Sequence, residues 1–167
     1  PYATYPPLGY GYSSIKVFDS QRRFVGRILP EKRYWVTLDR IPVFLQKAVV
    51  AVEDARFYAH GGIDVRGIAR ALVKDVVKGK LVEGGSTITQ QYVKNTYTTG
   101  ERDVARKLRE ALIATRLERQ LTKDEILFRY LNTTYFGDGA YGIGAAAQSY
   151  FGKPVAGLTL GEAASLA

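Results

Sequence analysis

One apolar-rich stretch decides the fold: residues 43–58, with the sequence VFLQKAVVAVEDARFY. Its apolar positions recur at helical spacing, Pro42 stands directly before it as at a helix start, and a glycine pair, 61–62, follows its end. The pattern predicts one long helix over 43–58. This helix carries a carboxylate, Glu53, directly after a run of apolar residues.

The pattern on either side of this stretch is mostly helical. Residues 1–12 resemble an extended arm, and residues 14–29 predict a short β-hairpin that turns at Asp19. Six further helices are predicted: 65–78, a segment from after Ser86 to about 95, 102–120, 122–131, 145–150 and a terminal helix. Asp64 is the expected N-cap of the first of these helices. Capping boxes at Thr122 and Thr159 start the fourth helix and the terminal helix. The predicted fold is mainly α, with an arm and hairpin over 1–40 and a helical domain over 41–167.

Composition narrows the function classes. The 167 residues are 46% hydrophobic, which is enough for a core, and they carry a net charge of +8. This charge predicts a polyanionic neighbour: nucleic acid, an anionic membrane surface or a phosphorylated substrate. Because there is no cysteine and only one histidine, disulfides, cysteine-ligated metals and multi-histidine metal sites are excluded.

No apolar run is long enough for a membrane-spanning helix. The chain contains no methionine, and it stops within an apolar stretch, residues 163–167. We therefore expect it to be cut from a longer protein, truncated at its C-terminus, with any membrane anchor outside it.

The first candidate site is residues 53–61, EDARFYAHG. A carboxylate on a largely apolar helix is partly desolvated, which suits Glu53 to general acid–base chemistry. His60 follows seven residues later, two helical turns on, and is expected on the same face. The alternative is that Glu53 lies at the solvent edge and pairs with Arg56 or Lys47.

The second candidate site is residues 84–95, GGSTITQQYVKN. The glycines allow a close backbone approach, and Ser86 is expected to cap a helix whose free N–H groups favour an anion. One polar stripe follows the cap and ends in a cation: Thr87, Gln90 or Gln91, and Lys94. The pattern suits a phosphorylated sugar, and the alternative is an ordinary capped helix.

The third candidate site lies on the helix predicted at 102–120. Arg102, Arg106 and Glu110 are spaced by four and share one face. Two guanidinium groups can bind a diphosphate bidentately, with Glu110 held among them as a second carboxylate. The alternative is a solvated face with ion pairs between neighbouring turns.

Two further patterns are less specific. Arg66, Arg70, Lys74 and Lys78 form a basic stripe that suits anionic lipid head groups, but the pattern is more typical of a solvated face. Asn132 closes the helix predicted at 122–131, which by itself indicates a helix end and a turn.

The order of these patterns carries a resemblance. ED..F..HG, GGSTITQQ..KN, RK..E, YLN..YFG and EAA.LA follow one another between about 41 and 167. This series resembles the family 51 glycosyltransferases, the peptidoglycan glycosyltransferase domains of class A penicillin-binding proteins and their monofunctional relatives. The resemblance implies a lysozyme-like, mainly α-helical fold with a small membrane-proximal jaw lobe.

The resemblance also implies a reaction. Lipid II would be polymerised into β-1,4-linked glycan strands with inversion and release of undecaprenyl diphosphate. Glu53 would be the base, and Glu110 would act on the leaving-group side. No cofactor would be required in the chain, although a divalent cation, Mg or Mn, near Glu110 is compatible with the family's chemistry.

The same resemblance implies substrate contacts and surroundings. The implied substrate-binding residues are Asp54, Phe57, His60, Ser86, Thr87, Gln90, Gln91, Lys94, Arg102, Arg106, Lys107 and Asn132. The implied partners are lipid II, the growing glycan strand and the membrane surface at the extracytoplasmic face of the bacterial inner membrane, with no nucleic acid. A longer parent protein could also contain a transpeptidase domain.

Two other functions remain open at this point. A lysozyme-like hydrolase would have a similar fold and a catalytic glutamate, but it needs no diphosphate cradle. A basic nucleic-acid-binding protein would explain the charge and the twelve tyrosines, but the chain has no known nucleic-acid motif.

Overall fold

The computed structural model describes residues 15–28, 32–64, 66, 85–97 and 104–167. These residues are mainly helical, as predicted. The helices are α1 (Val43–Glu53), α2 (Ile88–Tyr97), α3 (Val104–Glu118), α4 (Lys123–Thr133), α5 (Ile143–Phe151) and α6 (Leu160–Leu166), with 3₁₀ turns at Leu38–Arg40, Phe57–Ala59 and Val155–Gly157. Within this part of the chain no helix is both long and apolar enough to cross a membrane.

The predicted N-terminal hairpin is confirmed. Strands β1 (Ile15–Phe18) and β2 (Phe24–Ile28) pair antiparallel. In the turn, the Asp19 carboxylate accepts hydrogen bonds from the backbone N–H groups of Gln21 and Arg23, both at 2.9 Å. An aspartate that bonds the backbone just beyond itself is a common way to fix a tight turn, so this hairpin is set by local sequence.

A second, parallel strand pair was not predicted. Strand β3 (Lys32–Arg33) pairs with β4 (Ala140–Tyr141), and the side-chain amide of Asn132 bonds both backbone groups of Val36. These contacts attach residues 32–40 to the helical body, whereas the sequence pattern predicts that they belong with the arm and hairpin.

The core lies where α2 packs on α3 and α4 and where α1 packs on α6. Each helix contributes apolar residues at helical spacing, such as Leu45 and Val49 of α1. The other large buried apolar side chains include Phe57, Ile88, Tyr92, Ile126, Leu127, Tyr130, Leu131 and Ile143. Several elements that carry candidate site residues are therefore anchored by packing.

Both predicted capping boxes are confirmed. Thr122 and Thr159 each accept a hydrogen bond from the backbone N–H three residues later, and a glutamate side chain bonds back in each case. Helix α5 begins at Ile143 and not at 145, because Gly142 caps it with a φ of +84° and donates its N–H to a carbonyl oxygen at 2.7 Å.

The prediction of one helix over 43–58 is wrong. Helix α1 ends at Glu53, and Asp54 leaves the helical conformation with φ −158° and ψ 74°. A 3₁₀ turn at Phe57–Ala59 follows. The predicted helix 65–78 and its basic stripe lie outside the described residues, except for the exposed, helical Arg66.

Candidate active site

Glu53 is the last residue of α1, and its side chain is partly exposed. Its Oε2 accepts a hydrogen bond of 2.7 Å from Nε2 of Gln91 on α2. The alternative pairing of Glu53 with Arg56 or Lys47 is not found among the described residues. Arg56 contacts Asp64 instead, at 3.3 Å. Glu53 is thus held in place by a neutral amide and remains reachable from solvent, as a general base must be.

The neighbouring carboxylate, Asp54, faces the interior. It accepts hydrogen bonds from Nε2 of His60, at 2.9 and 3.0 Å, and from the backbone N–H of Ile88 at 3.1 Å. Because Ile88 is the first residue of α2, a carboxylate of the protein itself lies at the positive end of this helix. The prediction that this helix start is free for a substrate anion is therefore wrong.

These bonds also explain where His60 lies. The chain leaves the helix at Asp54, so His60 is bonded to Asp54 and is not on the Glu53 face two turns further along a helix. The side chains of both members of this pair are about 95% buried, with exposures of 5% for His60 and 4% for Asp54. The pair joins the end of α1 to the start of α2.

The start of α2 is capped one residue later than predicted. The Oγ1 of Thr87, and not Ser86, accepts a hydrogen bond from the N–H of Gln90 at 3.1 Å. The Gln90 side chain accepts in return from the N–H of Thr87 at 3.0 Å, which completes a capping box. Both residues are buried, so their side chains serve the helix start and do not form the predicted polar stripe with Lys94.

Glu110 on α3 is buried, with only 1% of its surface exposed. It forms an ion pair with Arg106 one turn earlier, and a second with Lys107 at 3.7 Å. The alternative of a solvated face with ion pairs between neighbouring turns is correct in its ion pair, which Arg106 forms with Glu110, but wrong in placing Glu110 in solvent. An ionised carboxylate is buried only where cations or donors compensate it. Arg102, the third member of the predicted group, lies outside the described residues.

A series of side-chain contacts joins the two candidate carboxylates. The Nε2 of Gln91, which donates to Glu53, also lies 3.5 Å from the carbonyl oxygen of Ser86. The Oγ of Ser86 accepts a hydrogen bond of 2.6 Å from Nζ of Lys107, which is paired with Glu110. Residues from both halves of the sequence therefore meet around Ser86, with one carboxylate on each side and a half-exposed lysine between them.

In the part of the chain that the structure describes, the groups near Glu110 do not fit a divalent cation. No group of three histidine or acidic residues capable of holding a metal occurs among the described residues. The carboxylate of Glu110 faces two basic side chains, Arg106 and Lys107, whereas Mg and Mn prefer several oxygen ligands. We therefore derive no step of the reaction through a metal ion.

Two predicted contact residues are inside the core. Phe57 and Asn132 are fully buried, with exposures of 0%. Asn132 bonds the backbone of Val36, and the ring of Phe57 is covered on one side by the ammonium group of Lys123, 4.4 Å from the ring centre. Their positions indicate that they support the fold and do not touch a substrate.

Sequence reasoning missed one residue of this site. Tyr130 of α4 donates its hydroxyl hydrogen bond to Oε1 of Gln91 at 3.3 Å. Burial raises the pKa of Tyr130, and the negative charge of Glu53 raises this pKa further. The only signal in the sequence was the YLN pattern, which by itself indicates a helix end.

The sequence of this chain is similar to those of known proteins. A family model described as Transglycosylase matches residues 21–167. The chain is 49% identical over 152 residues to penicillin-binding protein 1A of Aquifex aeolicus strain VF5, which covers 91% of this chain and 21% of the relative. It is 46% identical over 156 residues to penicillin-binding protein 1F of Bacillus subtilis strain 168, covering 93% and 22%.

A third relative is penicillin-binding protein 1A of Neisseria flavescens, at 46% identity over 153 residues that cover 92% of this chain and 19% of the relative. The chain thus spans about a fifth of the length of the curated relatives it matches. Because the family model covers most of the chain, the chain belongs to the transglycosylase family.

Proposed function

We propose that this chain is a peptidoglycan glycosyltransferase domain that polymerises lipid II into β-1,4-linked glycan strands. Its place in the transglycosylase family and its similarity to proteins named penicillin-binding proteins support this activity. The observation that carries the proposal is the position of Glu53. This carboxylate is partly exposed, fixed by Gln91, and joined through Ser86 to a basic group around Glu110.

In the proposed reaction, Glu53 takes the proton from the 4-hydroxyl of the acceptor's N-acetylglucosamine. The hydroxyl oxygen attacks the anomeric carbon of the growing strand, which is the donor. As this new C–O bond forms, the bond from the anomeric carbon to the lipid diphosphate breaks, and its electron pair leaves with the diphosphate. Attack from the opposite face converts the α-linked donor into a β-linked product, while the proton stays on Glu53.

The basic group around Glu110 suits the leaving-group side. A departing diphosphate gains negative charge, which nearby cations stabilise. Lys107 is half exposed and can contact the diphosphate, whereas Arg106 is mostly buried against Glu110. We therefore assign Glu110 the role of holding these two cations in position. Lys94, which is exposed on α2, and Arg102 would add further contacts to the diphosphate.

The basic side chains around Glu110 also favour glycosyl transfer over hydrolysis. A lysozyme-like hydrolase must activate water beside a sugar, and it has no need of cations placed for a diphosphate. A lipid-linked substrate requires the domain to work at a membrane surface, and we assign it to the extracytoplasmic face of the bacterial inner membrane. A longer parent protein could also carry a transpeptidase domain.

The test is polymerisation of labelled lipid II by the full-length protein that contains this chain. Since general base catalysis contributes about 10²–10⁴-fold to a rate, Glu53→Gln should lower strand synthesis by at least about 100-fold. Glu125→Gln is the matched control. It makes the same change at an exposed capping-box position of α4, where glutamine can serve in the same way, and it should polymerise at the wild-type rate.

Undiminished glycan synthesis by Glu53→Gln, in a protein that unfolds like the wild type, would show that Glu53 is not the base. A second arm supplies finished glycan strands in place of lipid II. Cleavage of these strands with no synthesis from lipid II would replace the transferase proposal with a hydrolase.

A further inference from the structure

Tyr130 is a buried polar group that the proposed mechanism does not use. It lies on α4 with only 3% of its surface exposed, so its hydroxyl is shielded from solvent. The hydroxyl donates to Oε1 of Gln91 at 3.3 Å, and Nε2 of the same amide donates to Glu53 at 2.7 Å. Three helices therefore contribute one side chain each to a directed series of hydrogen bonds that ends on the carboxylate.

The direction of this series depends on the chemistry of its three groups. A carboxylate can only accept hydrogen bonds, so Glu53 requires the NH₂ end of the Gln91 amide. A carboxamide has an oxygen at its other end, and this oxygen faces the Tyr130 hydroxyl. If the amide turned over, its oxygen would face the Glu53 carboxylate, and its NH₂ would face a hydroxyl that now lacks its acceptor.

The hydroxyl is suited to remain a donor. Burial raises the pKa of Tyr130, and the nearby charge of Glu53 raises it further, so the phenol stays protonated at and above neutral pH. A second contact limits the rotation of the amide, since its Nε2 also lies 3.5 Å from the carbonyl oxygen of Ser86. The amide is thus fixed from both ends, and the carboxylate oxygen it holds is fixed with it.

We propose that Tyr130 is a positioning residue for the base: through its hydroxyl it sets the orientation of the Gln91 amide, and through that amide it aligns the Glu53 carboxylate with the acceptor hydroxyl. The inference rests on the proposed role of Glu53. It extends the site to α4, a helix whose core residues pack against α2.

The variant that removes only this hydroxyl is Tyr130→Phe. The loss of one hydrogen bond to a neutral group predicts a kcat for lipid II polymerisation that is lower by about three- to ten-fold. The KM for lipid II should stay within about two-fold of the wild-type value, because the hydroxyl is buried away from the substrate.

The matched control is Tyr92→Phe. Tyr92 is also 3% exposed, burial also raises its pKa, and its ring packs edge-on against Tyr97, so the same chemical change is made in a similar setting. This control should leave kcat unchanged. Thermal unfolding of both variants measures any loss of folded protein, and the kcat values are compared per folded molecule.

A double-mutant cycle separates positioning through Gln91 from a general structural role. In a Gln91→Ala background the Tyr130 hydroxyl has no amide to orient, so adding Tyr130→Phe should change kcat by less than about 1.5-fold. If the two losses multiply, Tyr130 acts by some route other than Gln91 and the proposal is overturned. A kcat for Tyr130→Phe equal to that of Tyr92→Phe also overturns it, even where Gln91→Ala is too slow for the cycle.

The comparison with Glu53→Gln keeps the two proposals distinguishable. If Glu53→Gln abolishes polymerisation and Tyr130→Phe has full activity, only the positioning role fails. If Glu53→Gln itself polymerises normally, the assignment of the base fails, and the role of Tyr130 fails with it.

Discussion

The replacement of Asn132 by leucine tests how residues 32–40 are joined to the helical body. The Asn132 amide accepts a hydrogen bond from the N–H of Val36 at 2.8 Å, and it donates to the carbonyl oxygens of Val36 at 3.0 Å and Phe128 at 2.8 Å. Leucine has a similar volume and can make none of these bonds. The change therefore removes hydrogen bonding with little change in packing.

The loss of stability can be estimated from the backbone groups that lose a hydrogen-bond partner. The Phe128 carbonyl lies inside α4 and loses only a second donor, whereas the N–H and C=O of Val36 both lose the amide. A partly buried polar group that loses its partner costs about 1–3 kcal/mol. The two groups together predict a loss of about 2–6 kcal/mol, out of the roughly 5–15 kcal/mol by which a domain of this kind is stable.

The assay is urea unfolding followed by far-UV circular dichroism, with Asn95→Leu as the control. Asn95 is exposed on α2, so the same change there should alter the free energy of unfolding by no more than about 0.5 kcal/mol. Equal free energies for the two variants would refute the argument that the Asn132–Val36 bonds secure this segment. If the folded Asn132→Leu protein has a higher KM for lipid II than the wild type, the predicted substrate contact of Asn132 is supported after all.

Four other substitutions have definite expected outcomes. Gly142→Ala should destabilise by at least about 3 kcal/mol in urea unfolding, because its φ is +84° and a Cβ would lie 2.6 Å from a backbone oxygen. Gly152→Ala, with φ +66° and nothing within 4 Å, should cost only about 1–2 kcal/mol, and equal costs would contradict the steric argument. A hydrogen bond from Lys153 helps to lower the pKa of Glu162 from 4.5 to about 2, so its stabilising effect is complete above pH 4.5 and lost as the pH falls towards 2. The stability difference between the wild type and Glu162→Gln should therefore shrink across this range, and a constant difference in unfolding midpoints would count against it. Asp54→Asn removes the negative charge at the start of α2 and should cost about 1–2 kcal/mol, and an unchanged unfolding curve would show that the charge is unimportant there.

The features that the sequence predicted correctly depend on short-range contacts. The capping boxes at Thr122 and Thr159 involve partners three residues away, and the Asp19 turn closes within four. Such signals are complete within a short window of sequence. The capped helix starts and the hairpin could therefore be located before the structure was known.

The errors arose where distant residues decide the outcome. Helix α1 ends at Glu53 because the next residue, Asp54, bonds His60 and also the N–H of Ile88, 34 residues away. Asn132 joins Val36 across 96 residues of sequence. Periodicity of apolar residues contains no information about such partners, so the predicted helix was too long and the parallel strand pair was missed.

In the candidate site, too, the features that depend on nearby residues were predicted and those that depend on distant residues were not. Glu53 and Glu110 were singled out by their residue type and spacing, and the resemblance assigned their roles, which remain proposals. The burial of Thr87 and Gln90 could not be anticipated, because a polar stripe on a helix looks the same whether it faces solvent or caps the helix from within. Tyr130 was missed since its partner, Gln91, lies 39 residues earlier in the chain.

The Asp54 carboxylate at the start of α2 has a consequence for inhibitor chemistry. A small anion aimed at this helix end, such as a phosphonate, would compete with a tethered carboxylate whose local concentration is fixed by the fold. Displacing it would also strip His60 of its partner. Compounds that imitate the proposed diphosphate should therefore gain more affinity by engaging the half-exposed Lys107, and their binding should weaken steeply as salt is added.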